Sequence, residues 1–347
     1  MIVFDASPTS SKGSSSMALT PAQQNAALGR LARTDVVGLR HGMEARNYAA
    51  IEDLAVKRLV AQGLATDATA DFLYGAMLRL LQEARLTISI KCFNWFYAEN
   101  KSKEYSTFFI RGASGASNDM IKRDGAEKQM FGYGDAAPTG ASREEKAKAR
   151  IVHLGNLQSA DFQGAMRPRY AAVDFAYCVN GGLSKYGKSF FVLGEHMKHN
   201  ATYCHCDSFE VEADMLARQA EYGRVASLSD VLATYHELGK VIYYCHPAML
   251  KKLAEYARSQ KKGSENNLLG GNIYIEAQVH ADLVFERDVA QLCISDAERT
   301  VGPSIHPRWN AGMFRKKTTW DAADATKVET HAKAFAKANK IFYKTVV

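Results

Sequence analysis

Asn272-Ile273-Tyr274-Ile275-Glu276-Ala277-Gln278-Val279-His280 decides how this chain is read. Ile273, Ile275, Ala277 and Val279 alternate with Asn272, Tyr274, Glu276, Gln278 and His280. A period of two residues makes a strand with two unlike faces. The first face is apolar and belongs against a core. The second carries a phenol, a carboxylate, an amide and an imidazole in a row, where an ordinary wet face shows Lys, Thr and Ser. Such groups bind and polarise ligands. A hydrogen-bonded structural strand face is the plainer alternative. Gly270-Gly271, just before, gives the chain freedom to approach a ligand closely.

Outward from this strand the chain reads as α+β. Before it, Thr87 to Trp95, Tyr105 to Ile110, Tyr170 to Val179 and Lys188 to Leu193 are rich in β-branched and aromatic residues and predict strands. Gly, Asn and Ser clusters separate them. A helical insertion is expected over residues 142–156, and a helical block over 211–260 with breaks near Gly223 and Gly239. Residues 20–86 carry helical spacing, with Thr20-Pro21 as cap and first turn. Ile51, Leu54, Ala55 and Leu59 recur there, as do Leu73, Ala76, Met77, Leu80 and Ala84. They predict a helical N-terminal lobe. From Asp321 to Tyr343 one long amphipathic helix is expected, with Val328, Phe335 and Phe342 on one stripe and Lys333, Lys337, Lys340 and Lys344 on another. The organisation is thus a leader at 1–19, a helical lobe at 20–86, a core at 87–320 and a C-terminal helix at 321–347.

Composition narrows the function classes. In 347 residues, 47% are hydrophobic, enough for a sizeable core. No apolar run approaches the roughly 20 residues of a membrane span. The net charge of +7 comes from interspersed charges, so it does not by itself imply nucleic acid, although it favours anionic ligands. Six cysteines are too few for a disulfide framework at this length and point to a reducing environment. The first twenty residues are rich in Ser and Thr, and Asp5 breaks the apolar start, which excludes a Sec signal peptide. An uncleaved Ser-rich leader suits type III secretion; a plain disordered terminus with a start at Met17 is the alternative.

Other clusters were weighed for chemistry. Phe108 to Gly115 is an apolar strand that ends in Arg111, followed by Gly112 and Ser114, a setting suited to a pyrophosphate. Ser189 and Phe190 enter another apolar strand, where a hydroxyl can brace a carboxylate. Cys204-His205-Cys206, with Cys245-His246 as a second pair, has the wrong spacing for a structural zinc site, so no metal is expected. No family signature supports a cysteine protease around Cys204, Cys206 and His246. His153, His196, His199, His236 and His306 are given satisfied or surface roles.

Taken in order, Arg111-Gly112, Ser189 and Glu276 resemble the Arg…Ser…Glu order of the mono-ADP-ribosyltransferase superfamily. More specifically, the chain resembles a bacterial family of uncharacterised proteins placed near that superfamily. The similar segments are Phe109 to Asn118, Arg123-Asp124 through Phe131-Gly132, Arg167 to Tyr170, Tyr186 to Phe190, Ala201-Thr202 with Asp207-Ser208, and Tyr274 to His280. With the leader, the whole resembles type III secreted ADP-ribosylating effectors, some of which modify a threonine of ubiquitin. The resemblance implies a mixed or antiparallel two-sheet core. It implies NAD as substrate, no metal, and a host protein acceptor met in the host cytoplasm. Nucleic acid and stable membrane insertion are not expected, and a monomer is. Glu276, Gln278, His280 and Tyr274 would carry the catalysis. Arg111, Gly112, Ser114, Arg169, Tyr170, Ser189 and Phe190 would hold NAD, with Tyr170 or Phe190 stacked on nicotinamide.

Two departures qualify the resemblance. The superfamily usually places Gln or Glu two residues before its catalytic Glu, and here that position is Tyr274. Were the frame Glu276 then Gln278, the catalytic slot would hold an amide. The usual Ser-Thr-Ser is reduced to Ser189. Tyr274 in place of a carboxylate argues against an arginine acceptor and for a hydroxyl, thiol or amide. A non-catalytic effector that binds a host partner through its helical surfaces is the rival expectation.

Overall fold

The structure, a computed structural model, describes residues 50–107, 123, 125–127, 130, 167–222, 231–259, 261–269, 273–304 and 319–347. The expected leader, the strand end at 108–115 and the helical insertion at 142–156 lie outside these residues.

Eight strands form one mixed sheet. They are β1 (Arg85–Ile90), β2 (Arg169–Asp174), β3 (Ser189–Leu193), β4 (Ala201–Cys204), β5 (Ala233–Thr234), β6 (Glu276–Val279), β7 (Val289–Ser295) and β8 (Phe342–Val346). Their order is β5-β4-β6-β2-β1-β3-β7-β8. Only β7 and β8 run parallel; the other neighbours are antiparallel. The fold is α+β, as expected. The two-sheet expectation is corrected for the described residues, because β1 hydrogen-bonds to both β2 and β3 and makes the ladder continuous.

The helices are α1 (Ala70–Glu83), α2 (Cys92–Phe96), α3 (Val211–Ala217), α4 (Leu238–Tyr244), α5 (Pro247–Ser259), α6 (Asp296–Val301) and α7 (Ala322–Ala338), with a further helical segment at residues 50–61. One face of the sheet is apolar and meets most of them. Ile88, Phe191, Ala277, Val279 and Leu292 join Leu59, Leu73 and Met77 of the N-terminal helices, and Val328 and Phe335 of α7, in one core. The helices of residues 50–83 therefore share their core with the sheet. Phe191 sits at its centre, with ring centroids 5.2 Å from Phe285 and 5.3 Å from Trp95.

Several element boundaries differ from expectation. The predicted strand Thr87–Trp95 becomes β1 and then α2, because Cys92, Phe93 and Phe96 all turn inward to the core. Tyr170–Val179 stops pairing at Asp174. Its carboxylate turns back to accept from the amide of Cys178, 2.9 Å away. The C-terminal helix ends at Ala338, where Lys340 takes φ 55° and the chain enters β8. Phe342 thus leaves the helical stripe and lies on an exposed edge strand.

The other sheet face is polar yet also covered. Across it, Cys204 faces Glu276, Thr202 faces Gln278, Glu276 faces Ala172 and Tyr170 faces Gln278. The loop before β3 lies over its middle. A Cβ on Gly182 would meet the Cβ of Ala172 at 2.9 Å, so only glycine allows this approach. Arg123 and the turn after β4, with Ser208, cover the Glu276 end.

Candidate functional site

Four pieces of chain supply the site. Strand β6 brings Glu276 and Gln278, with Tyr274 just before it and His280 just after. Strand β4 brings Thr202, and the turn beyond it Asp207, Ser208 and Phe209. Tyr170 comes from β2, with Arg167 ahead of it. Residues 123 and 125–127 are helical and place Arg123 and Glu127 one turn apart on the same side.

Glu276 is the centre. It is completely buried, and each carboxylate oxygen is held. The hydroxyl of Tyr274 donates to Oε2 at 2.7 Å, and the amide of Gln278 donates to Oε1 at 2.8 Å. Gln278 is fixed in turn by the hydroxyl of Thr202, which donates to its Oε1 at 2.9 Å. Thr202 has one proton to give, so the His280 Nε2 at 2.9 Å must donate to it. This assigns the Nε2–H tautomer to a neutral His280. Burial, helped by the charge of Arg169, pushes its pKa down to about 4, which agrees. His280, Thr202, Gln278, Glu276 and Tyr274 therefore form one hydrogen-bonded chain along the sheet. Such a chain fixes the carboxylate before any ligand arrives.

Burial raises the Glu276 pKa to about 7, against the pull of Arg123 and with a further push from Asp207. The group can therefore change charge near neutrality. Arg123 is the nearest compensation. Its guanidinium carbon lies 3.8 Å from the ring centroids of both Tyr170 and Phe209, and it donates to Ser208 Oγ at 2.8 Å. Burial works against that cation, but Tyr170, Glu276, Glu127 and Asp207 outweigh it, and Arg123 stays charged. Glu127, fully buried, accepts from Arg167 at 2.8 Å and from the Tyr170 hydroxyl at 2.5 Å. Burial nonetheless raises its pKa.

Of the residues expected from sequence, Tyr274, Glu276, Gln278, His280 and Tyr170 come together. Phe190, Ser189 and Arg169 do not. Phe190 is wholly buried three strands from β6, with Gly181 packed against its ring. It is not placed to stack on a ligand at Glu276. Ser189 pairs with Ile90, so it faces the other side of the sheet and donates to Glu298 at 2.7 Å. It braces Glu298, not Glu276. Arg169 pairs with Val279, likewise on the far face, and binds the carbonyls of Tyr105 and Ala281 and the carboxylate of Asp282. Tyr170 joins the site, but its ring already carries Arg123. Arg111, Gly112 and Ser114 lie outside the described residues.

Sequence reasoning gave no role to Arg123, Glu127, Arg167, Thr202, Asp207 or Ser208. All six lie in segments that carry the family resemblance, which was the available signal, but the resemblance assigned them no part in the site.

The donor atoms of Cys204, His205 and Cys206 lie within 4.8 Å of one another, closer than their spacing suggested. His205 Nε2 is 2.9 Å from Asp214, while the Cys245 thiol turns to the carbonyl of Ile242. Hydrogen bonds from Cys206 and His205 outweigh burial and lower the Cys204 pKa to about 5. These donors are of the kind that binds zinc, but the Cys245-His246 pair does not complete the set.

Fold and site together define an α+β protein with a fully enclosed carboxylate on the polar face of its sheet. Residues 115–306, more than half of the chain, match the family described as a protein of unknown function (DUF3626), and the chain belongs to that family. The match spans every member of the Glu276 group and begins just beyond Arg111, Gly112 and Ser114. No curated protein matches the chain.

Proposed function

We propose that this protein transfers ADP-ribose from NAD to a side chain of a host protein, releasing nicotinamide. The observation that carries the reading is Glu276, a single buried carboxylate with both oxygens pinned and a charged arginine beside it. Breaking the nicotinamide–ribose bond develops oxocarbenium-like positive charge. A preoriented carboxylate at the ribose hydrogen-bonds the 2′-hydroxyl and stabilises that charge, without any metal. The resemblance to the mono-ADP-ribosyltransferase superfamily gives this carboxylate the same role, with Tyr274 two residues ahead of it. Arg123 supplies a cation for the NAD diphosphate, alongside Arg111 in the resemblance. Tyr170 and Phe209 are the least buried members of the group.

The acceptor in this reading is a hydroxyl, a ubiquitin threonine being one candidate, because Tyr274 stands where a guanidine-modifying site wants a second carboxylate. The setting is the host cytoplasm after type III secretion, as a monomer. Incubation with NAD tests it: nicotinamide should be released, and intact masses of host proteins should rise by one ADP-ribosyl group. Mapping to arginine removes the acceptor assignment.

The rival reading is a non-catalytic effector, which the complete burial of Glu276 favours. It expects no nicotinamide release and capture of a host partner by the lysine-bearing face of α7.

A further inference from the structure

We propose that Tyr170, backed by Glu127, is the general base that takes the proton of the acceptor hydroxyl. This inference rests on the ADP-ribosyl-transfer reading and adds a residue to it.

A hydroxyl acceptor must lose its proton as its oxygen bonds to the ribose carbon. Glu276 is committed to the ribose and already accepts from Tyr274 and Gln278. His280 is only 3% exposed, sits behind Gln278 and Thr202, and spends its Nε2 proton on Thr202. Tyr170 differs in three ways. The residue is partly exposed although its hydroxyl is buried against Glu127, and it lies on the same face as Glu276, directly across from Gln278. Its hydroxyl already points its proton at a buried carboxylate, Glu127, across 2.5 Å. That carboxylate is held from the other side by Arg167 at 2.8 Å, so it stays aimed.

Among the described residues, the charged groups around the phenol are Glu127, Arg123 and, from β6, Glu276. Asp207 beside Phe209 and Arg167 behind Glu127 lie next to them. Arg123 over the ring favours negative charge on the phenol oxygen, and the two glutamates oppose it. A free tyrosinate is therefore disfavoured, and the proton must move through the phenol in a concerted way. The acceptor proton passes to the Tyr170 oxygen as the phenol proton passes to Glu127. The acceptor oxygen bonds to C1′, and the C1′–N bond breaks with its electron pair leaving on neutral nicotinamide. Glu127 ends protonated and returns its proton to water. Burial raises the Glu127 pKa, which suits a group that must hold a proton briefly.

The test follows two outputs from one protein: nicotinamide released to water, and adenine-labelled NAD transferred to proteins of a eukaryotic cell lysate. In Tyr170→Phe and Glu127→Gln, labelling should fall about 100-fold. Release should fall by at least tenfold less, since water attacks the oxocarbenium ion with little need of a base. Glu276→Gln should lose both. In the unmodified protein, the ratio of labelling to release should rise with pH as Glu127 loses its proton, a readout that needs no variant to fold. Parallel loss of both outputs in the folded variants, undiminished labelling, or a ratio flat with pH overturns the inference. A wild-type protein that releases nicotinamide but labels nothing also overturns it and leaves the NAD reading standing. One that releases no nicotinamide overturns both.

Discussion

The hydroxyl of Tyr274 and the Oε2 of Glu276 lie 2.7 Å apart although they are two residues apart on one strand. Side chains at i and i+2 share a face, so the strand itself presents the donor to the acceptor. Removing that donor in Tyr274→Phe takes one hydrogen bond from a buried carboxylate oxygen. A hydrogen bond to a charged group contributes about 1.5–3 kcal/mol. The expected outcome is a loss of roughly 10- to 100-fold in kcat/KM for NAD. Circular dichroism should stay as in the parent, since the apolar side of β6 is untouched. Comparable turnover in the variant would return Tyr274 to a packing role.

Glu276→Gln should abolish transfer while the protein remains folded. The substitution keeps volume but removes the charge that the transition state needs. Nicotinamide release at the parent rate would take Glu276 out of the mechanism and revive the frame that puts Gln278 in the catalytic slot.

The Glu276 pKa, raised by burial to about 7, sets a pH dependence of two opposite signs. Its stability contribution is full below the ordinary glutamate range, where folded and unfolded forms are both neutral. It is lost as pH rises through about 7, because the folded state resists ionisation. Activity in the proposed transfer runs the other way, since there the carboxylate is the working form. The rate profile should therefore show an acid limb near pH 7 while the melting temperature falls across the same interval. Arg123 lowers this pKa, so Arg123→Met should move the acid limb upward. A limb that stays near pH 4 to 5 in the parent would separate Glu276 from the rate.

Phe191 ties the sheet to Trp95, Phe285 and Phe335 in the aromatic centre of the core. Phe191→Ala should destabilise the fold by about 3–5 kcal/mol, read from urea midpoints. Tyr186 is exposed and outside that cluster, and the same truncation there should cost under about 0.5 kcal/mol.

All six cysteines are buried. Cys204 is the most acidic thiol among those whose pKa shifts, yet it lies wholly inside, so access and not ionisation limits its chemistry. Native protein should resist alkylation until unfolded. Because the proposed transfer routes no step through a metal, chelators should leave it unchanged, and the purified protein should carry no stoichiometric zinc. One zinc per chain, lost in Cys204→Ser, would reverse this reading.

The sequence made the α+β class and the Glu276 row legible, because alternation along one strand is a local signal. It did not make Ser189 legible. The strand start was visible, but which way its hydroxyl points depends on pairing with Ile90 from a strand about a hundred residues earlier. Arg123 and Glu127 were missed for the same kind of reason. Their helical spacing shows in the chain, but their meeting with Tyr170 is purely tertiary. Strand β8 escaped because Phe342 and Tyr343 continue the helical pattern of the tail, and β5 because it lies inside the expected helical block; β4 and β7 were not among the expected strands. The polar face, read as ligand-binding with a solvated or hydrogen-bonded face as the alternative, is buried, since nothing local reveals that the turn after β4 folds over it.

The central strand β1 pairs with Asp174 and its neighbours on one side and with Val192 and its neighbours on the other. β2 then pairs with β6, roughly another hundred residues along. No tight hairpin joins any of these partners, so assembly must close long loops before the first ladder rewards it. Chains of this kind pass slowly to the native state and leave strand edges open on the way. Refolding of this protein should be a matter of seconds or longer and should depend on keeping copies apart while it proceeds.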